Sequence, residues 1–189
     1  MSWGYRLSVP ENARAKGIES VRPFNGRVVT SGKRIPYLQR RNGEAEWQTS
    51  RYGMQLYNSG IGKLFWNAKK ESLETNEKWT RLIRMRIVIP VDAYVESAPT
   101  RSWLVGPRAW IPGLLDTSIT GGIVTITESN EGGGSPILLT QSAAIAWLDA
   151  KPWDAIKTLN GDRESFQLAD IFVAAKLDME SKTKAPIAA

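Results

Sequence analysis

Asn42-Gly43 constrains this chain more than any other feature, because a two-residue connection of that type holds both residues in the left-handed region and turns one strand back on the next. Its flanks agree. Arg34-Ile35-Pro36-Tyr37-Leu38-Gln39 precedes the turn and Glu46-Trp47-Gln48 lies on the return. Further short β-branched or aromatic runs occupy Val28 to Thr30, Arg84 to Pro90, Tyr94 to Ser97, Ser102 to Val105, Ala109 to Ile111 and Gly122 to Thr127. Their spacing is that of a folded antiparallel sheet, and Pro90 is expected to end its run. Helical patterns are fewer: Glu71 to Trp79, Thr140 to Leu148 with Thr140 or Ser142 as cap, and about Phe166 to Lys176. Glu11 to Ile18 reads as a loop or weak helical turn. Asn130 to Ser135 reads as a glycine-rich turn, since Gly132-Gly133-Gly134 lacks the Lys-Ser/Thr of a phosphate loop. A chain of 189 residues fits one core. The expectation is therefore an α+β fold: a single domain over residues 1–180, with a mainly antiparallel, barrel-like sheet and a few flanking helices, and a flexible tail over 181–189.

Two residue types are missing. With no Cys there is no disulfide, thiolate nucleophile or zinc–thiolate site; with no His, the usual general base near neutral pH and the commonest transition-metal ligand are gone. No metal and no cofactor are expected. Catalysis would fall to carboxylates, Lys, Tyr, hydroxyls or the α-amino group, part of which is neutral at physiological pH. Lys and Arg outnumber Asp and Glu by 25 to 19, for a formal charge of +6, which favours a polyanionic partner or serves only to keep the surface soluble. Arg6, Arg22, Arg27, Lys33, Arg34, Arg40, Arg41 and Arg51 concentrate that charge early in the chain, interleaved with Tyr5, Phe24, Tyr37, Tyr57 and Trp66. Phosphate contacts beside stacking platforms suit single-stranded nucleic acid, although most of the aromatics should fill the core. No apolar run reaches about eighteen residues, so no membrane span is expected and the location expected is cytoplasmic, at the nucleoid if DNA is bound.

The order of several motifs resembles the SOS-response-associated peptidase family, whose members shield abasic sites in single-stranded DNA through a covalent link from an N-terminal cysteine. The resemblance covers about Arg22 to Trp153. Arg22-Pro23-Phe24-Asn25 is similar to an early Arg-Tyr-Asn stretch, and Tyr52-Gly53-Met54 to a Trp-Gly-Leu strand. Trp66-Asn67-Ala68-Lys69-Lys70-Glu71 resembles the Asn-Ala-Arg-x-Glu motif, and Arg86 to Glu96 the strand that carries the family's glutamate. Val124-Thr125-Ile126-Thr127, followed by Ser135-Pro136-Ile137-Leu138-Leu139, resembles the Val-Thr-Thr … Met-Pro-Val-Ile-Leu segment. Departures are equally plain. Met1-Ser2-Trp3-Gly4 stands where the family begins Met-Cys-Gly-Arg, Glu131-Gly132-Gly133-Gly134 replaces the Ile-His-x-Arg stretch, and Ser97 replaces a tryptophan. The pattern is that of a divergent, phage-like branch.

The resemblance implies a site made of Ser2, Asn67 and Glu96. Loss of Met1 would expose the α-amine of Ser2 for imine formation with the aldehyde of an abasic site. The Ser2 hydroxyl is a poor partner for ring closure, so the adduct should be reversible and open to β-elimination. Asn67 matches the asparagine that positions aldehyde and amine, and Lys69 stands in place of a phosphate-binding arginine, keeping charge without bidentate geometry. Glu96 would shuttle protons. Arg6, Arg22, Lys69, Tyr57 and Trp66 are the expected DNA contacts. Plainer roles stay open for each: a frayed terminus for Ser2, a turn amide for Asn67, an ion pair with Arg101 or Arg86 for Glu96. The resulting expectation is a monomeric protein that binds abasic single-stranded DNA with residual imine chemistry, as a degenerate peptidase or abasic-site lyase. A catalytically inactive interaction domain on the same scaffold is the alternative, and self-removal of a leader is disfavoured because only Met1 precedes Ser2.

Overall fold

The computed structural model describes residues 2–10, 17–18, 21–22, 29, 32–56, 63–97, 100–129, 134–161, 166 and 169–170; for strand residues 2–4, 21–22, 56, 63, 95–97, 100–108 and 169–170 the description is of the backbone. Along the chain come β1 (Ser2–Leu7), β2 (Val9–Pro10), β3 (Val21–Arg22), β4 (Arg34–Arg41), β5 (Glu44–Arg51), β6 (Met54–Leu56), β7 (Lys63–Phe65) and β8 (Asn67–Lys69). After a 3-10 turn at Lys70–Ser72 follow α1 (Glu77–Leu82), β9 (Arg86–Ser97), β10 (Thr100–Leu115), β11 (Ile123–Glu128) and β12 (Ser135–Pro136). Last come α2 (Gln141–Asp149), a 3-10 turn at Ala155–Thr158 and β13 (Ala169–Asp170). The expected tail at 181–189 lies outside the described residues, as do residues 11–16 of the turn expected at Glu11 to Ile18 and residues 130–133 of the turn expected at Asn130 to Ser135.

The Asn-Gly turn forms as its residues require. Asn42 and Gly43 sit at φ 52° and 83°, and β4 pairs with β5 from Arg41↔Glu44 to Arg34↔Arg51. A longer hairpin, β9 with β10, occupies the middle of the sheet. It replaces the three separate runs expected between Tyr94 and Ile111, with one register shift between Leu104 and Ala109. The sheet order is β12-β11-β10-β9-β4-β5, with β1 added to β9, β13 to β10 and β8 to β11. All these pairs are antiparallel except β8 on β11. The result is the expected α+β fold, one domain on a mostly antiparallel sheet with, among the described residues, two flanking α-helices.

Pro90 does not end a strand, contrary to expectation. One edge of β9 pairs with β4 as far as Val88 and with β1 from Val91 onward, so Pro90 falls at the handover. Its neighbour Trp110 directs its own amide to Leu139, away from β9, so the proline nitrogen faces the gap where no ladder bond is needed, while its carbonyl accepts from the Ser8 amide at 3.0 Å. The late helix is corrected too: Ala169–Asp170 pairs as a strand with Trp103 and Leu104 of β10. That stretch of β10 has β9 on one side only, and an open edge recruits a strand against a weak local helical preference. The helix expected from Glu71 splits because the Asn76 side chain caps the Lys78 amide at 3.1 Å, which starts α1 at Glu77. Thr140 caps α2 as the pattern indicated.

Two apolar cores result from strand alternation. Under the helices lie Trp79, Trp110, Trp147, Leu38, Val88, Val124 and Ile126. On the opposite face of the sheet lie Tyr5, Tyr37, Tyr52, Tyr94, Ile87, Ile89, Ile111 and Ile123. The sheet curls around this second core. A parallel bridge from Tyr52 to Ile123 brings the end of β5 back to β11, and a Cβ on Gly122 would lie 2.3 Å from the Gly53 carbonyl, so only glycine allows that approach. Arg86 ties both helices to the sheet edge, donating to the carbonyls of Ile83, Trp147, Leu148 and Ala150. Burial lowers its pKa from the ordinary arginine value.

Candidate functional site

Strand register sets the first part of the site. β1 runs antiparallel to β9 with Ser2 opposite Glu96 and Tyr5 opposite Tyr94, and Arg101 of β10 is the partner of Glu96 on its other side. Ser2, Glu96 and Arg101 therefore form one row across three strands. Arg86, the other candidate partner for Glu96, is ten positions back along β9 and fully occupied with helix carbonyls.

Asn67 reaches the same strand by a different route. It begins β8, opposite Thr125 of β11, and Thr125 donates from Oγ1 to Asn67 Oδ1 at 2.5 Å. A hydroxyl has one proton, so the 2.9 Å contact between Thr125 Oγ1 and the Tyr5 hydroxyl is one in which Tyr5 donates. The direction is thus Tyr5 to Thr125 to Asn67, with the Trp66 carbonyl as a second, longer acceptor for Thr125 at 3.3 Å, and it holds the asparagine oxygen against β11. Tyr5 is three residues from Ser2, or about 10 Å of strand. Tyr52 meets Tyr5 edge-on with centroids 5.6 Å apart; burial, reinforced by Tyr5, raises its pKa well above the usual phenol. The Tyr52 phenol therefore stays protonated and does not act as a base near neutral pH.

The expected DNA contacts divide. Lys69 is exposed beside Thr127, and Trp66 is 37% exposed while its carbonyl accepts the Thr125 amide at 2.9 Å. Arg6 donates from Nε to Asp92 Oδ1 at 2.7 Å; Asp92 is buried, so this arginine balances an interior charge. Arg22 is described only by its pairing with Val9, and Tyr57 lies outside the described residues. Other early basic residues hold the fold as well: Arg40 grips Asp149, which raises its pKa, and Arg51 donates to the carbonyls of Thr120 and Gly121. Tyr5 and Tyr37 are buried and offer no face to a base. Among the described residues no group of three acidic side chains could hold a metal, and no helix is long and apolar enough to cross a membrane.

Sequence reasoning missed Tyr5 and Thr125 as the links behind Asn67. The available signal was Thr125 and Thr127, two polar residues on the inward parity of the apolar run Ile123–Glu128.

A strongly curled antiparallel sheet with one parallel strand at Asn67 defines the class of fold. No protein-family model matches the chain, and no curated protein matches it in sequence. It is similar in structure to a phage-related protein from Bordetella bronchiseptica, at 17% identity and TM-score 0.66 over 89% of this chain and 92% of that one. A second Bordetella bronchiseptica protein gives TM-score 0.67 at 17% identity over 90% and 99%. A Bacteroides thetaiotaomicron protein gives 0.58 at 17% over 76% of each chain. At this identity the likeness is one of fold.

Proposed function

We propose that this protein acts as a divergent member of the SOS-response-associated peptidase type, binding single-stranded DNA at abasic sites and forming a reversible imine through the Ser2 α-amine once Met1 is removed. The amine lone pair adds to the aldehyde carbon of the ring-opened sugar. The carbonyl oxygen takes up a proton, and the carbinolamine then loses it as water to leave the C=N bond. Glu96 would deliver the proton to that departing hydroxyl, and the Asn67 amide would donate to the oxygen as it gains charge. Ser2 supplies no thiol, so the imine stays open to hydrolysis or to β-elimination of the strand.

The observation that carries the reading is the register pairing Ser2 with Glu96. It is strengthened by the hydrogen-bonded line from Tyr5 of that same strand to Asn67. Exposed Lys69 and Trp66 flank Asn67 and suit a phosphate and a base respectively.

The test is borohydride trapping on single-stranded DNA that carries an abasic site. The wild-type chain should give a trapped species, and Glu96→Gln should slow its formation by about a hundredfold. Absence of any trapped species, together with weak, salt-insensitive DNA binding, would leave the inactive interaction scaffold as the reading.

A further inference from the structure

Away from Asn67, a cavity of about 580 Å³ opens beside α1, lined among others by Phe65, Lys78, Trp79, Arg81 and Asp116. Lys78 Nζ lies 4.3 Å from the centroid of the Phe65 ring and 4.3 Å from that of Trp79. Its Nζ is buried and has no hydrogen-bond partner among the described residues. An ammonium so placed keeps a cation–π attraction but has no carboxylate within hydrogen-bond distance to offset its desolvation. The charged groups around it are Asp116, at the end of β10, and Glu77 and Arg81 on α1 itself. Burial lowers its pKa to about 8, against the opposing pull of Asp116.

We propose that Lys78 is a reactive amine and that this cavity captures a small carbonyl compound bearing a carboxylate, such as a 2-oxo acid, as an imine on Nζ. The rings hold the amine only while it is charged. Once deprotonated it loses the cation–π attraction, and rotation about its terminal bonds turns the lone pair toward the cavity. Nζ then bonds to the carbonyl carbon, the oxygen takes up a proton, and water leaves as the C=N bond forms. That proton is the one Nζ sheds as it bonds, and the Asp116 carboxylate on the cavity wall can relay it from nitrogen to oxygen. Arg81, whose side chain makes no ion pair or hydrogen bond with the described residues, lines the same space and suits a carboxylate. This amine is separate from that of Ser2 and does not rest on the DNA reading.

The test is brief exposure of the whole protein to glyoxylate and cyanoborohydride at pH 7.5, followed by peptide mapping. A lysine of lowered pKa has on the order of a hundredfold more neutral amine there than an ordinary one, partly offset by weaker intrinsic nucleophilicity. Lys78 should therefore be modified at least about tenfold faster than exposed Lys33 or Lys151. Arg81→Met should reduce that preference for glyoxylate but not for acetaldehyde, which has no carboxylate. Modification of Lys78 no faster than Lys33, or none at all, overturns the proposal on the unaltered chain, whatever the variants do.

Discussion

Indole fills the core beneath the helices, and phenol fills the core inside the curl of the sheet. Trp79, Trp110 and Trp147 lie in the first with Trp47 packed against it; Tyr5, Tyr37, Tyr52 and Tyr94 lie in the second. Strand alternation separates them, since Ile87 and Ile89 face the tyrosines while Val88 between them faces the tryptophans. The chemical consequence differs on the two sides. Trp147 uses its one donor on the Ile87 carbonyl at 3.0 Å, a bond that fastens helix to sheet and leads nowhere further. A phenol both donates and accepts, so the Tyr5 hydroxyl can pass direction through Thr125 to Asn67. The tryptophan side is a scaffold, and the tyrosine side connects the interior to the candidate site.

If that division holds, substitutions in the two cores should separate stability from chemistry. The largest effect is expected from Trp110→Ala, which empties a fully buried site and should lower unfolding free energy by about 4 kcal/mol in urea denaturation. Its trapping activity should survive wherever the chain remains folded. Thr125→Val reverses the pattern. It removes the middle of the hydrogen-bonded line and should cost about 1–2 kcal/mol, yet reduce the trapped DNA species by about tenfold, because the Asn67 amide loses its orientation. Equal trapping by Thr125→Val and wild type would break the link between the inner core and the site.

A third, smaller effect sharpens the contrast at the rim of the tryptophan core. Lys78 has a folded pKa of about 8 against an ordinary 10.5, so between those values the unfolded chain holds a proton that the folded chain has lost. Stability should therefore rise with pH across that window, and the burden of the buried ammonium is complete below it. Lys78→Met should flatten the rise and add about 1 kcal/mol near pH 7, a figure reduced for solvent screening of this half-buried side chain. Thermal unfolding of both chains from pH 7 to 10 checks the slope.

What was legible in the sequence follows from where its determinants lie. Asn42-Gly43 and the Thr140 cap are local, set by a φ value or by one side chain meeting an amide three residues on, and both formed as read. Pro90 misled because a proline within a strand is tolerated wherever its missing donor faces a gap, and that gap arises from two distant strands, β4 and β1, sharing one edge of β9. The pairing of Ala169–Asp170 likewise depends on an open stretch of β10 more than sixty residues away. Asn67 drew attention through its motif. Tyr5 and Thr125, 120 positions apart, could be joined only once the sheet had curled. Lys78 gave no signal at all, since in sequence it is one lysine in a polar stretch before Trp79.

The Ser2 amine is tested most directly by digesting the borohydride-trapped complex of protein and abasic single-stranded DNA and locating the modified residue by mass spectrometry. The reduced sugar should be carried on the α-nitrogen of Ser2, with Met1 gone. A sugar carried on Lys78 or another lysine, or a retained Met1 in a chain that still traps DNA, would contradict that assignment.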